Sequence, residues 1–554
     1  MIRATSRSTP HRLTAVLAPA LLLVLASLEA RADSPLTGYF VDCDSGNDSR
    51  SGTSPQEAWR TLRKVSSTVK AAGSDVFLKA GSTCSKQRLI VDWGGTPANR
   101  AIIGSYYVND SGAHEGFEGS SRPTITGTYG AACRSTNAPS TCPVGINADD
   151  QNAMPPNQWD GLIHVRASYV TVQDIAVADS SGSGVSHAAA KGKSESNVTF
   201  QNLSISRTFN SGIRLERVRN DVLRDNRVDL VSLMKVDGRT KYWPPGILVT
   251  DSAPANLLVE GNTLSNSGGE GIGVLRSSHT IIRGNTVANN RRPLIYLDNA
   301  SENVVEHNLL LGNGYMNGVD ESFGVGVSIA VEPYKQGMRN SVSNVLRNNL
   351  MANTKGCFDL LVFRESKGNC PAGGCDDPAA KGYKVGALIY GNTCLQDKGR
   401  YLGGANLDVH DNVDKLEIVD NVFGGKGGGN CTLPSLPPAE LMVDSNVFAT
   451  APSGEACRGT NAKIGPTGIG LDYSRVNASS IPSPDSFRPS GSPDARRGGE
   501  RVDRTVIDGN DYPASMREFT WAKCKPSPGD WTKGLAYDYA CAPRGDKPSA
   551  GGLE

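Results

Sequence analysis

The sequence is poor in aromatic residues, in charge of one sign and in long apolar runs. Aromatics make up only 6% of its 554 residues, while glycine reaches 62. That balance argues against a helical bundle and for a chain with many tight turns. The formal net charge is +1, so neither nucleic acid nor an anionic membrane surface is expected as the main partner. Beyond the N-terminus no segment is apolar enough to span a bilayer. Histidines number 7, and no CxxC pair stands at zinc-finger spacing from them, which speaks against a zinc site.

What is present begins with an export signal. Arg3, Arg7, His11 and Arg12 precede "LTAVLAPALLLVLASL", and Ala30, Arg31 and Ala32 supply a small-x-small cleavage pattern, giving a signal peptide over 1–32. A cleaved peptide is expected rather than a membrane anchor, and with it a secreted or periplasmic location. Twelve cysteines suit such an oxidising compartment. The close pairs Cys133 with Cys142, Cys370 with Cys375, and Cys524 with Cys541 look like loop staples.

The middle of the chain repeats. "EGIGVLRSSHTIIRGNTVANN" is followed by "PLIYLDNASENVVEHNLLLGN", with Asn285 and Asn308 23 residues apart. The first half recurs as "SGIRLERVR" and "PGILVTDSA", the second as "SNVTFQNLSI", "ANLLVEGNTL" and "AELMVDSNVF". Each half reads as short strands of alternating apolar residues closed by Asn, Gly, Asp or Ser. A period of about 22 to 25 residues with two or three strands per unit fits a parallel solenoid. Leucine-rich repeats share the period, but the regular Leu framework is missing. In stacked coils, recurring Asn can form a ladder, and Asn202, Asn226, Asn262, Asn285, Asn308, Asn392, Asn421 and Asn446 are assigned to one. Three gaps exceed one coil: "VSLMKVDGRTKYWPP" before Gly246, "YMNGVDESFGV" after Gly314 and "ESKGNCPAGGCDDPAAKGYK" after Arg364. Such insertions tend to cluster on one face of a repeat fold, often the binding face.

At its start, "GYFVDCDSGNDSRSGTSPQEAWRTLRKVSSTVKAAGSDVFLKAGS" resembles the opening segment of secreted right-handed parallel β-helix proteins of the pectate-lyase-like superfamily. "DSFRPSGSPDARRGGE", "VIDGND" and "GLAYDYAC" resemble the closing segment of many of them. The resemblance spans residues 38–541 and implies an all-β, single-stranded right-handed parallel β-helix with an N-terminal capping helix and an irregular C-terminal tail. One domain is expected over 33–545, with regular coils over 155–450, an irregular segment over 451–545 and a disordered tail over 546–554. Trp59 and the apolar side of "AWRTLRKVSSTVKAAG" would supply the cap, closing off strand edges that are otherwise exposed. The family implies activity on polysaccharides: pectate, alginate and chondroitin lyases, polygalacturonase-like hydrolases and mannuronan epimerases. Alginate and chondroitin B lyases of this fold carry a Lys-Ser motif on one coil and an Arg on the next. Here Arg276 stands near the Lys position and Asp298 where Arg is expected.

Alternation locates the face where chemistry can sit. If Ile213, Ile247, Ile272 and Ile295 point inward, then Arg214, Leu248, Gly273 and Tyr296 point outward. A second outward column holds Glu216, Thr250, Leu275 and Asp298, and the next turn holds Arg217, Asp251, Arg276 and Asn299. The expected catalytic residues are Arg276, Tyr296 and Lys335, with Arg276 pairing a uronate carboxylate and Tyr296 or Lys335 exchanging protons. Substrate binding is assigned to Arg214, Asp251, Asn299, Tyr242, Trp243 and Arg364. Glu270, Asp298 and Glu332 are expected to ligate Ca²⁺, a cation that favours oxygen. The expected function is β-elimination on an acidic polysaccharide by a monomer, with no nucleic-acid partner and no membrane association once the signal is cleaved. A hydrolase pairing Asp251 with Asp298, a uronate epimerase and a non-catalytic glycan binder or adhesin are the alternatives. His164 and His187 are expected to be structural or surface groups, and His279 and His307 solvent-facing repeat positions.

Overall fold

The computed structural model describes residues 36–117, 121–127, 159–193, 195–233, 244–312, 324–332, 337–352, 354–362, 382–395, 406–409, 412–424, 431–437, 439–448, 450–452 and 454–464. Within these the chain winds through three long sheets, visiting them in a fixed order on each turn. Sheet C takes the first half of each repeat, for example Ile272–Leu275. Sheets A and B take the second half, as Thr280–Arg283 and Thr286–Ala288. Strands of successive turns pair in parallel and in register: Ile213, Ile247, Ile272, Ile295 and Val327 stack in one row. These β-branched residues point inward and alternate with an outward column, so burying one side of each strand fixes the register. The row and its counterparts in sheets A and B fill one continuous core.

The stacked sheets begin before the expected start of regular coils. Tyr39–Val41, Val76–Lys79 and Ala101–Asn109 already belong to sheet A, and Leu89–Val91 to sheet C. The capping helix is α1 (Leu62–Thr68), started by the Thr61 side chain, which accepts from the Lys64 N–H at 3.1 Å. Its buried Leu62 and Val65, together with Trp59, join the core at the solenoid's first turns.

The turn from sheet A to sheet B carries the Asn ladder. Asn262 Nδ2 donates to Asn285 Oδ1 at 3.0 Å, and Asn285 Nδ2 to Asn308 Oδ1 at 3.0 Å. The chain of bonds continues through Asn349, Asn392 and Asn421 to Asn446. Asn349 is a rung not foreseen. Asn202 is not a rung: Asn226 Oδ1 takes the N–H of Leu203 instead. Asn202 stands one residue early, in the left-handed conformation (φ 50°) that Asp225 adopts a coil later, with its side chain on Asp174. Among the described residues three disulfides join Cys43 to Cys84, Cys357 to Cys394 and Cys431 to Cys457. The three close cysteine pairs picked out from sequence lie outside the described residues, as do the expected signal peptide and the segment after Ile464.

In chain order the insertions adjoin strands of sheet C. Two fall between a sheet B strand and the following sheet C strand, before Ile247–Thr250 and before Val327–Val331. The third follows the sheet C strand Phe358–Val362. All three therefore flank the same sheet.

Candidate functional site

The outward columns of sheet C run as alternation requires. Arg214, Leu248, Gly273, Tyr296 and Ser328 are strand partners, as are Glu216, Thr250, Leu275 and Asp298. Arg217, Asp251, Arg276 and Asn299 follow, each in the left-handed conformation with φ from 49° to 57°. That conformation turns the chain toward sheet A and lets neighbouring turns place side chains on one another.

Arg276 shows the consequence. Its Nε and Nη2 meet the two carboxylate oxygens of Asp251 at 2.7 and 2.8 Å, and Nη2 also reaches Thr250 Oγ1 at 3.1 Å. This forked pair directs the guanidinium to the preceding coil. Both residues are thereby engaged with each other: Arg276 instead of a uronate, and Asp251 instead of a partnership with Asp298. Arg214 is likewise engaged, with its guanidinium 5.7 Å from the Trp159 ring and paired to Glu216.

Tyr296, Asp298, Asn299 and Glu332 do come together. The Tyr296 hydroxyl donates to Glu332 Oε1 at 2.6 Å. Asp298, fully buried, accepts at Oδ1 from Asn299 Nδ2 at 2.8 Å and from the Glu332 N–H at 3.0 Å. Asn299 closes the group by donating to the Glu332 carbonyl at 2.8 Å and accepting the Arg339 N–H at 2.6 Å. Neither Arg339 nor the Tyr296–Glu332 bond was anticipated; the two partners stand 36 residues apart, across an insertion.

Glu270, on the turn that leads into Ile272–Leu275, completes the acidic group. It is 8% exposed, and its Oε2 has no hydrogen-bond partner among the described residues. Burial pushes its carboxyl up to about 8; Glu332 and Asp298 add to the rise and Arg292 opposes it. Glu332 is also raised by burial, against the Tyr296 hydrogen bond and the Arg292 charge. Lys335, Tyr242, Trp243 and Arg364 lie outside the described residues.

The three acids do not fit a Ca²⁺ shell as they stand. Asp298 Oδ1 already receives two N–H groups and Glu332 Oε1 receives a hydroxyl, so both oxygens are engaged by the protein itself. Among the described residues no group of three His, Cys, Asp or Glu is set to hold a metal ion. Two histidine expectations also change. His307 is buried, and His279 is half-buried with Nε2 3.2 Å from Glu302.

The family model for a right-handed β-helix region matches residues 150–272 and 240–369. The fold is a right-handed parallel β-helix. By sequence, no curated protein matches the chain. Among solved structures, this β-helix is similar to a GH136 lacto-N-biosidase from Eubacterium ramulus, at 13% identity and TM-score 0.43, over 65% of this chain and 64% of that one. The chain thus spans a little under two thirds of that protein's length. A pectate lyase, Pel9A, is similar at 14% identity and TM-score 0.45, over 85% of this chain and 93% of that one. An alginate lyase from a Paenibacillus species is similar at 13% identity and TM-score 0.39, over 63% and 96%.

Proposed function

We propose that the protein is an exported polysaccharide-degrading enzyme that cleaves glycosidic bonds on the outward face of sheet C. The observation that carries this reading is the acid cluster: a buried Glu270 that holds a proton at neutral pH, beside Glu332 and Asp298. Breaking a glycosidic bond needs a proton delivered to the leaving oxygen, and Glu270 is suited to deliver it. Glu332, ionised above its raised value, is suited to activate water or attack the sugar carbon, with Tyr296 fixing its orientation. The insertions that flank sheet C support a groove there. The disulfides and the N-terminal signal pattern support export to the periplasm or the medium.

A second reading, β-elimination on a uronate-containing polysaccharide, is favoured by one feature. Arg292 bears electrostatically on both Glu270 and Glu332, and elimination calls for a cation to neutralise the uronate carboxylate. Incubation with neutral and uronate-containing polysaccharides, with and without Ca²⁺, separates the two. New reducing ends without absorbance from an unsaturated uronyl end are expected for hydrolysis. Appearance of that absorbance establishes elimination, and no product from any glycan overturns the enzymatic reading.

A further inference from the structure

The outer face of sheet B changes character along the solenoid. One outward column runs through Thr124, Ser204, Arg227 and Thr263 in the early coils. After Thr286 it turns apolar, with Leu309, Leu350, Val422 and Val447 interrupted only by Thr393. The neighbouring column passes from Asp229 and Ser265 to Leu311 and Leu395. These leucines stand outside the continuous core, which the alternate residues Leu310, Met351 and Cys394 fill. Sheet A repeats the change. Its outward column begins with Thr171 and Thr199, carries Leu258, Ile281, Val304, Val345 and Leu388, and returns to Glu417 and Met442.

A sheet face in water keeps polar outward residues, and a contiguous apolar patch marks a surface that something covers. Burial agrees with the pattern. Leu309, Leu350, Val447, Leu258 and Val345 are buried, as are Glu306 and Arg347 beside them, whereas Met442 beyond the apolar stretch is 41% exposed. Among the described residues, the hydrophobic cluster that joins Leu258 to Leu388 draws only on sheet A. The described helices stand elsewhere, α1 against Leu89–Val91 and α2 (Glu455–Arg458) against Leu441–Asp444. Because this burial arises within a single chain, the covering layer belongs to the same chain.

Chain order and composition select the occupant. The segment 465–554 leaves from Lys463–Ile464, the last strand of sheet B, which pairs with Val447–Phe448 at the end of the apolar column. From Val447 back to Leu309 is four strand steps, about 19 Å, a span that about six extended residues cover. The three insertions lead instead into or out of sheet C. In a chain poor in aromatics, "VIDGNDYPASMREFTWAKC" and "GDWTKGLAYDYAC" place Met516, Phe519, Trp521, Trp531, Leu535 and Tyr537 close together. We propose that the segment 465–554 folds back over the outer faces of sheets A and B, seating the stretches around Trp521 and Trp531 on the columns of Leu309 and Leu258. The inference is independent of the enzymatic reading.

Photo-cross-linking of the full-length protein tests it. Benzoylphenylalanine replaces Leu309, Thr393 or Leu388 in turn, and Ser206, on the polar part of sheet B, serves as the control position. The products are sized, and the joined peptides are identified by mass spectrometry. Cross-links at monomer mass from the first three positions to peptides of 465–554, with none from Ser206, are the expected result. Links to another part of the chain, links between two chains, or folded variants that give no link overturn the inference. Hydroxyl-radical footprinting of the unsubstituted protein decides the matter if the variants fold poorly. Leu309, Leu350, Trp521 and Trp531 should all oxidise severalfold more slowly in the native protein than in denaturant. Trp521 and Trp531 oxidising at the unfolded rate overturns the inference.

Discussion

Glu270 decides most at the residue scale. A carboxyl raised from its ordinary value to about 8 favours the protonated form when folded, whereas the unfolded chain releases that proton at a much lower pH. The native state therefore binds more protons between about 4.5 and 8, and stability falls as pH rises through that window. As a proton donor the same group loses function above about 8. Glu270→Gln keeps the shape and removes the titration. It should lower kcat at least a hundredfold while raising Tm at pH 8. A rate profile and an unfolding series across pH check both, and a variant with full activity removes Glu270 from the mechanism. Sequence alternation located Tyr296 and Asp298 because outward position depends only on register. It left the Arg276–Asp251 pairing unseen, because a left-handed turn residue aims along the stack rather than straight out.

At the scale of elements, the turns contribute as much as the strands. Asn285 donates to the Val259 carbonyl and to Asn308, and it receives both the N–H and the side-chain amide of Asn262. Asn285→Leu leaves several buried polar groups unpaired and should cost several kcal/mol, at about 1–3 kcal/mol for each orphaned group. Among the ladder residues Asn446 is the last, receiving from Asn421 and donating to the Ile418 carbonyl. Asn446→Leu should cost less. Denaturant midpoints of the two variants check the ranking, and equal losses would remove the ladder's cumulative role. A second ladder follows the outward face of sheet A, where Arg224, Glu260, Arg283, Glu306, Arg347 and Tyr390 alternate in register. Arg347 Nε lies 2.6 Å from Glu306 Oε2, and Arg283 Nη2 3.0 Å from Glu260 Oε2. The Asn ladder was legible because Asn recurs at one spacing. Its start was misplaced by one residue at Asn202, where two successive turn positions both tolerate Asn.

For the whole molecule, buried ion pairs set how stability responds to pH. Glu306 is held down to about 2: burial opposes its ionisation, and Arg347, His307 and Arg283 more than compensate. Its contribution is present above the ordinary carboxylate value and is lost as pH falls toward 2. His187 sits on Asp221 at 2.6 Å with Glu195 at 3.4 Å, and these partners raise it to about 9 against burial. Its contribution is complete below about 6.5 and lost as pH rises through 9. With Glu270 adding to the alkaline loss, Tm should peak in the mildly acidic range, between about 4.5 and 6.5. His187→Gln should flatten the alkaline side of that curve. Thermal unfolding from pH 3 to 10 checks it, and a maximum above pH 8 contradicts the assignment.

The sequence alone determined the coil, its period of two or three strands per unit, the inward rows and the strands that the insertions adjoin. A repeat with period-two alternation leaves one register that buries its inward Ile, Val and Leu together. Only the tertiary structure decided which outward charges are available for chemistry. Stacking coils about 4.8 Å apart brings residues distant in sequence into hydrogen-bond range, so Arg276 closes on Asp251, Tyr296 on Glu332 and His164 on Ser186. Those pairings depend on side-chain direction and on loop lengths between coils, which the repeat pattern does not encode.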